Sequence, residues 1–274
     1  KETFDSIDDI DIQGPLRLIK ASVKHISPSG GVEIQTKTDL PPGSGLGASA
    51  ALTIALIGAL RMINGETQPE PEELARDSLY IENVLLNNIS GGQDEYASIL
   101  GGFHSFNFEQ DSVQVNELDI KKETITELEE RSVLCYSGES HISGDVLNQI
   151  MTNYVNDDPT TAEALRKMKK VTHQIEESLV SGELDNFGEL IQNVFEIQKN
   201  LHPDVVPKNI ANISRLALSN GALGGKIAGA GGGGCVYFFC EKGRKEDVVV
   251  ALQDQGLQII PMKFTQKGIE VSSL

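Results

Sequence analysis

Apolar residues recur at three- and four-residue steps at Leu16, Ile19, Val23 and Ile26, directly after Pro15, whose fixed φ suits a first helical turn; the spacing predicts a helix. Strict alternation follows at Val32, Ile34 and Thr36 in "GVEIQTKT", which predicts a strand that the run Asp39-Leu40-Pro41-Pro42 stops. Residues 48–63 are almost continuously apolar and predict a buried helix, shorter than a membrane span and interrupted by Ser49, Thr53 and Arg61. In "PEELARDSLYIENVLLNN" a stripe of Ala75, Leu79, Leu85 and Leu86 predicts another helix, and Glu82 falls on that same face.

A second run of elements opens at "RSVLCYSG". Helices are predicted over 161–180 and 186–201, the latter with a stripe of Phe187, Leu190, Ile191, Val194 and Phe195 that reads as core. "GCVYFFCE", "LQIIPMKFT" and "GIEVSS" predict strands, with a helix over 246–255. The mixture is α+β and is read as two domains, residues 1–116 and 117–274, with no repeat, low-complexity tract or obvious linker.

Composition narrows the function. With 39% hydrophobic and 23% charged residues in 274, the chain belongs with globular proteins. Its net charge of −17 works against binding nucleic acid or an anionic membrane, both of which require Lys and Arg opposite phosphates. Neither partner is expected, nor is a membrane anchor or signal peptide. Cys235 and Cys240, five apart, face opposite sides of a strand, and Cys135 lies in an apolar run; free buried thiols and a cytoplasmic location are expected. The five histidines show no zinc spacing.

In "LPPGSGLGASAALTIALIGAL", Gly43, Gly45 and Gly47 run directly into the helix at Ala48. Such a loop leaves N–H donors and the positive end of the helix dipole facing an anion, the arrangement that holds phosphates. The dipole contributes about 0.3–2 kcal/mol, whereas micromolar affinity needs about 8 kcal/mol, so a nucleotide would also need a metal and base contacts. The alternative is a glycine turn that merely enters a buried helix. The chain lacks the Gly-Lys-Ser/Thr of the Walker loop, and "GAGGGG" at 229–234 fits the dinucleotide spacing but runs into a strand where that fingerprint demands a helix. Glu82 on an apolar stripe reads either as a Mg²⁺ ligand or as a salt-bridged core acid. Asp94 follows the pair Gly91-Gly92 and reads either as a site carboxylate or as a common first-turn acid.

"PPGSGLGASAA" (41–51) and "GGKIAGAGGGGCVYFF" (224–239), in that order, resemble the phosphate loop and the C-terminal glycine motif of the GHMP kinases. "GGQDEYASILGGF", "FGELIQNVFEIQKNL" and "GALGGKIAGAGGGGC" are most similar to the branch acting on D-glycero-D-manno-heptose phosphate. The resemblance implies an N-terminal nucleotide-binding domain, a ferredoxin-like C-terminal domain, and ATP with Mg²⁺ as cofactors. It implies that Pro42, Gly43, Ser44, Gly45, Leu46, Gly47, Ala48, Ser49 and Ala50 cradle the nucleotide phosphates, approached by Gly229, Gly231 and Gly232. Ser49 and Glu82 become Mg²⁺ ligands, Asp94 the carboxylate that orients or deprotonates the acceptor hydroxyl, and Gln93, Tyr96 and Lys199 residues of the acceptor site. Ala48 replaces the first Ser of the family's pair, and Gly92 stands where heptose kinases carry Lys. The family's opening basic strand and glycine loop have no counterpart, "GPLRL" at 14–18 being helical in pattern, so a fragment or a chain with segments missing is expected. The expected activity is ATP-dependent phosphorylation of a small sugar or sugar phosphate. Fucose-, galactose- or mevalonate-type kinases are the near alternatives, and a non-catalytic nucleotide or sugar sensor the distant one.

Overall fold

The computed structural model describes all residues except 42, 67–68, 111, 140–142 and 273–274, together with the side chains of 143–145 left aside. Contacts divide the chain into one unit of Lys1–Asp39, Gly47–Gly102 and Thr265–Leu274, and another of Leu40–Leu46 and Phe103–Phe264. Asn116, where the sequence reading divides the chain, lies within a strand of the second unit.

The first unit is helical. α1 (Arg17–Ile26) begins after Leu16, which caps it in the left-handed region at φ 58°, so Pro15 precedes the helix instead of occupying its first turn. Val23 packs with Ile10 and Leu60, joined by Ile19, Ile26 and Ile34. α2 (Ala48–Ile63) buries Ile54, Ile57 and Leu60. α3 (Pro71–Leu79) starts on a proline and runs into a wider π-helical turn, Tyr80–Leu85, closed by Leu86 N–H donating five residues back to Ile81 O at 3.0 Å. α4 (Gln93–Leu100) ends at Gly101.

Two expected strands are not formed here. Residues 31–39 carry no regular secondary structure: Val32 and Ile34 are half-buried as the alternation predicts, yet no ladder is present among the described residues. "GIEVSS" likewise runs without a ladder: Gly268 lies where a Cβ would come 1.9 Å from Ile99 O, and Ile269 packs over Gly58 of α2. Period-two alternation reports alternating burial; it does not supply the neighbour that a strand requires.

The second unit holds a hairpin, β1 (His104–Phe108) and β2 (Val113–Glu117), paired antiparallel with Phe106 opposite Val115. α5 (Lys122–Arg131) leads into β3 (Ser132–Tyr136), then α6 (Ser143–Val155), α7 (Pro159–Ser181), α8 (Leu184–Gln198) and α9 (Lys208–Ser219). β4 (Ala222–Ile227), β5 (Cys235–Cys240), α10 (Lys245–Asp254) and β6 (Gln258–Ile260) complete it. The sheet order is β4-β5-β3-β6, antiparallel throughout, with Leu134 between Tyr237 and Ile260. Strand, helices, strand, strand, helix, strand in that spatial order is the ferredoxin-like arrangement. "LQIIPMKFT" contributes only Gln258–Ile260 as β6.

The core gathers Phe195, Val236, Phe238 and Cys135. The three cysteines are free and buried; burial pushes the Cys135 thiol up to about 12 and those of Cys235 and Cys240 up to about 11. α8 seats directly on edge strand β4, because a Cβ on Gly224 would lie 2.1 Å from Gly188 O. Gly225 N–H donates to Gln192 Oε1 at 3.3 Å and Ile227 N–H to Gln198 Oε1 at 3.4 Å, so glutamines of α8 take the outer donors of the edge.

Candidate active site

The first unit brings Gly47, Ser49, Glu82, Gln93 and Asp94 together. Gly47 precedes α2 at φ 68°, and a Cβ built on it would meet the Asp94 carboxyl carbon at 3.1 Å. Glycine suits this position twice over: it adopts the left-handed backbone without strain and leaves the Asp94 carboxyl group uncrowded. Asp94 itself is in the first turn of α4, half-buried, behind Gly92 at φ 85°. Its Oδ1 accepts from Gln93 Nε2 at 3.4 Å, and its carbonyl accepts from Ser98 Oγ at 2.7 Å.

The Ser49 hydroxyl donates to Glu82 Oε1. Glu82 is 4% exposed, within the π-helical turn, and its other oxygen accepts from Asn88 Nδ2 at 2.9 Å. Asn88 N–H closes the same loop onto Glu82 O at 2.8 Å, while Asn88 Oδ1 accepts from the Arg17 guanidinium at 2.7 Å. A hydroxyl and a carboxamide, both neutral, are thus the donors to a buried carboxylate. Among the described residues its charge is not cancelled by direct contact, which suits a divalent cation better than a salt-bridged core acid. The donors on hand are hard oxygens, as Mg²⁺ requires. Among the described residues no group of three His, Cys, Asp or Glu could enclose a metal, so the cation would be held by Ser49 and Glu82 with phosphate oxygens.

Asn83, Asn88, Ser90 and Glu95 are not among the residues that the sequence pattern singles out. Glu95 is fully buried and accepts from Ser90 Oγ at 2.7 Å. Burial pushes its carboxyl above the usual range; the Ser90 bond opposes this, and the charges of Asp94 and Glu82 reinforce it. Its four-residue spacing from Ile99 was the available signal, placing it on the inner face of α4. The asparagines and the serine carry no periodic signal. Tyr96, expected on the acceptor side, is also on that inner face at 7% exposure, and burial foremost, with the charge of Glu72, raises its phenol.

In the second unit Gly43, Ser44, Gly45 and Leu46 interlock with the later glycine run. Cys235 N–H donates to Ser44 O at 2.8 Å. A Cβ on Gly45 would sit 3.0 Å from Ala228 O, one on Gly229 3.1 Å from Gly45 O, and one on Gly234 2.6 Å from Ser44 O. Gly231 is pressed against Val205, and Gly232 N–H donates to Val205 O at 2.9 Å. This run is a packing device in its own right, whatever else it approaches. Leu46 joins a cluster with Leu134, Cys235 and Ile260. Pro42 lies outside the described residues. In the first unit, Ala48 and Ala50 form the opening turn of α2, with Ala50 buried. Lys199, just past α8, is held by Glu196 at 2.7 Å and lies 4.8 Å over the Phe195 ring.

Within the first unit, Gly47 at the start of α2, a buried hydroxyl–carboxylate pair and a second carboxyl group beside them are the features expected of a phosphotransferase site. The family models described as GHMP kinases N terminal domain and GHMP kinases C terminal match residues 15–102 and 175–257, and the chain belongs to the GHMP kinase family. It is 29% identical over 242 residues to the D-glycero-alpha-D-manno-heptose 7-phosphate kinase of Campylobacter jejuni, covering 86% of this chain and 69% of that protein. It is also 29% identical over 251 residues to the mevalonate kinase of Thermococcus onnurineus, covering 89% and 70%. The crystal structure of a D-glycero-D-manno-heptose 1-phosphate kinase from Bacteroides thetaiotaomicron superposes with a TM-score of 0.72 at 26% identity, covering 96% of this chain and 77% of that one. No described helix is long and apolar enough to cross a membrane.

Proposed function

We propose that this GHMP kinase transfers the terminal phosphoryl group of ATP to a sugar phosphate, D-glycero-D-manno-heptose phosphate, in the cytoplasm. The observation that carries the reading is the Asp94 carboxyl packed against Gly47 at the start of α2, the same helix turn whose Ser49 bonds Glu82. The free N–H groups of that turn receive phosphate oxygens. Ser49 and Glu82 would hold Mg²⁺, which when bound would neutralise charge on the phosphates. Asp94 accepts the proton, or the hydrogen bond, of the attacking hydroxyl, and Gln93 beside it is placed to contact the acceptor. Phosphoryl transfer is chiefly positioning and charge stabilisation, and a positioned base adds about 10²–10⁴ in rate.

The heptose acceptor is supported by the local pattern "GGQDEYASILGGF" and by the two heptose phosphate kinases above. Mevalonate is the second reading, because a mevalonate kinase stands at the same 29% identity. Of the acceptor-side residues, Gln93 is exposed beside Asp94, whereas Tyr96 is buried and Lys199 is engaged by Glu196. Phosphate recognition by Lys199 would require that pair to open. The test is ADP release by the full protein over heptose phosphates, heptose, fucose, galactose and mevalonate. Preference for a heptose phosphate is expected; turnover of mevalonate alone would overturn the heptose reading and leave the kinase reading intact.

A further inference from the structure

Ser90 lies in sequence between the two acids of the site and is gripped from both sides. Its N–H donates to Asn83 Oδ1 at 2.6 Å and its carbonyl accepts from Asn83 Nδ2 at 3.3 Å. Asn83 is the residue next to Glu82. The Ser90 hydroxyl donates to Glu95 Oε1 at 2.7 Å, and Glu95 is the residue next to Asp94.

Two features make this more than incidental bonding. Glu95 is fully buried, and its second oxygen has no partner among the described residues, a costly state at a position where an apolar side chain would pack beside Ile99 without penalty. The intervening chain, moreover, contains Gly91 and Gly92. A Cβ on Gly91 would meet nothing within 4 Å, and Gly92 is in the left-handed region at φ 85°, so these glycines lend the loop no stiffness of their own. Something else must set the register between the Glu82 turn and the Asp94 turn.

We propose that Asn83, Ser90 and Glu95 form a positioning relay that fixes the Asp94 carboxyl relative to Ser49 and Glu82. The proposal rests on the phosphotransferase reading of those three residues. None of the relay side chains need touch a substrate; each acts through its neighbour. A loss of register of about 1 Å at a reacting group is worth about 10²-fold in rate.

The experiment compares Ser90→Ala and Glu95→Ala with Ser90→Thr and Glu95→Gln, which keep the hydroxyl donor and the acceptor oxygen. Exposed Asn83→Ala takes the place of any alanine variant that does not fold. The alanine variants are expected to lower kcat by about 10–100-fold with the KM for ATP within about twofold. Thr and Gln are expected to restore kcat to within about threefold, and the double alanine variant to be no worse than either single one. Losses that multiply in the double variant, or that the conservative variants fail to restore, would overturn the relay. Hydrogen exchange of the unliganded full chain provides a reading independent of turnover: Ser90→Ala should accelerate exchange in residues 80–85 and 93–97 together. Acceleration in one segment alone, or in neither, overturns the proposal. Failure of the wild-type protein to phosphorylate any acceptor defeats the kinase reading instead, and the exchange result still decides whether the two turns are coupled.

Discussion

Gly47 is a position where one added methyl group would press directly on the Asp94 side chain. Its φ of 68° already disfavours an L side chain by about 1–2 kcal/mol, and the added Cβ would press on three atoms of the Asp94 side chain between 3.1 and 3.3 Å. Gly47→Ala is therefore expected to lower the melting temperature by several degrees and to reduce kcat more than the KM for ATP, as steady-state kinetics would show. Glu82→Gln keeps the shape and removes the charge. Calorimetric titration should find Mg²⁺-dependent ATP binding weakened by about tenfold, with the melting temperature little changed; a fall in stability with metal dependence intact would make Glu82 a core acid instead. These positions were legible because a glycine triplet before an apolar helix, and an acid on an apolar stripe, are anomalies of residue type. Asn88, Ser90 and Glu95 were not, since their significance lies in hydrogen bonds between residues that show no period.

Among the elements, α8 against β4 carries the most specific packing. Gly224→Ala would place a Cβ 2.1 Å from Gly188 O and 2.6 Å from Gln192 N, both backbone atoms of α8, so the helix must move. Overpacking of this kind costs about 1–3 kcal/mol or more, and denaturant unfolding should report it. Part of the sequence resemblance in "FGELIQNVFEIQKNL" is thereby explained as structure: Gly188, Gln192 and Gln198 serve the sheet edge. α1, α2 and α3 are pinned by Asp77, which takes His25 Nε2 at 2.9 Å and the Arg61 guanidinium. Burial alone would raise the Asp77 carboxyl, but its bonds to His25 and Arg61 outweigh burial and hold it below the usual range. A carboxyl depressed in the folded state contributes stability that is present above its unfolded value and lost as pH falls through the folded one. Asp77→Asn should flatten the acid limb of the melting temperature against pH while lowering it near neutrality. Helices and their faces were readable from period; the strands expected at 31–38 and 268–273 form no ladder among the described residues, because alternation is silent about hydrogen-bonding partners.

At the scale of the whole molecule, a chain with 40 acidic against 23 basic side chains is read as accepting ATP and a phosphorylated sugar, all anions. Under the proposed function, local devices offset the overall charge: the N–H groups at the start of α2 and the cation proposed for Ser49 and Glu82. Membership of the GHMP kinases and the ferredoxin-like sheet follow from motifs and strand order together. The acceptor is the part that motif and fold leave open, because kinases for different acceptors share both. The central claim is that Asp94 serves phosphoryl transfer from MgATP. Its most direct test is phosphate transfer followed by ³¹P NMR with wild-type protein and Asp94→Asn, alongside the Kd for MgATP. Turnover in Asp94→Asn is expected to fall by about 10²-fold or more with Kd within about twofold. Near-normal turnover in the correctly folded variant would contradict the claim.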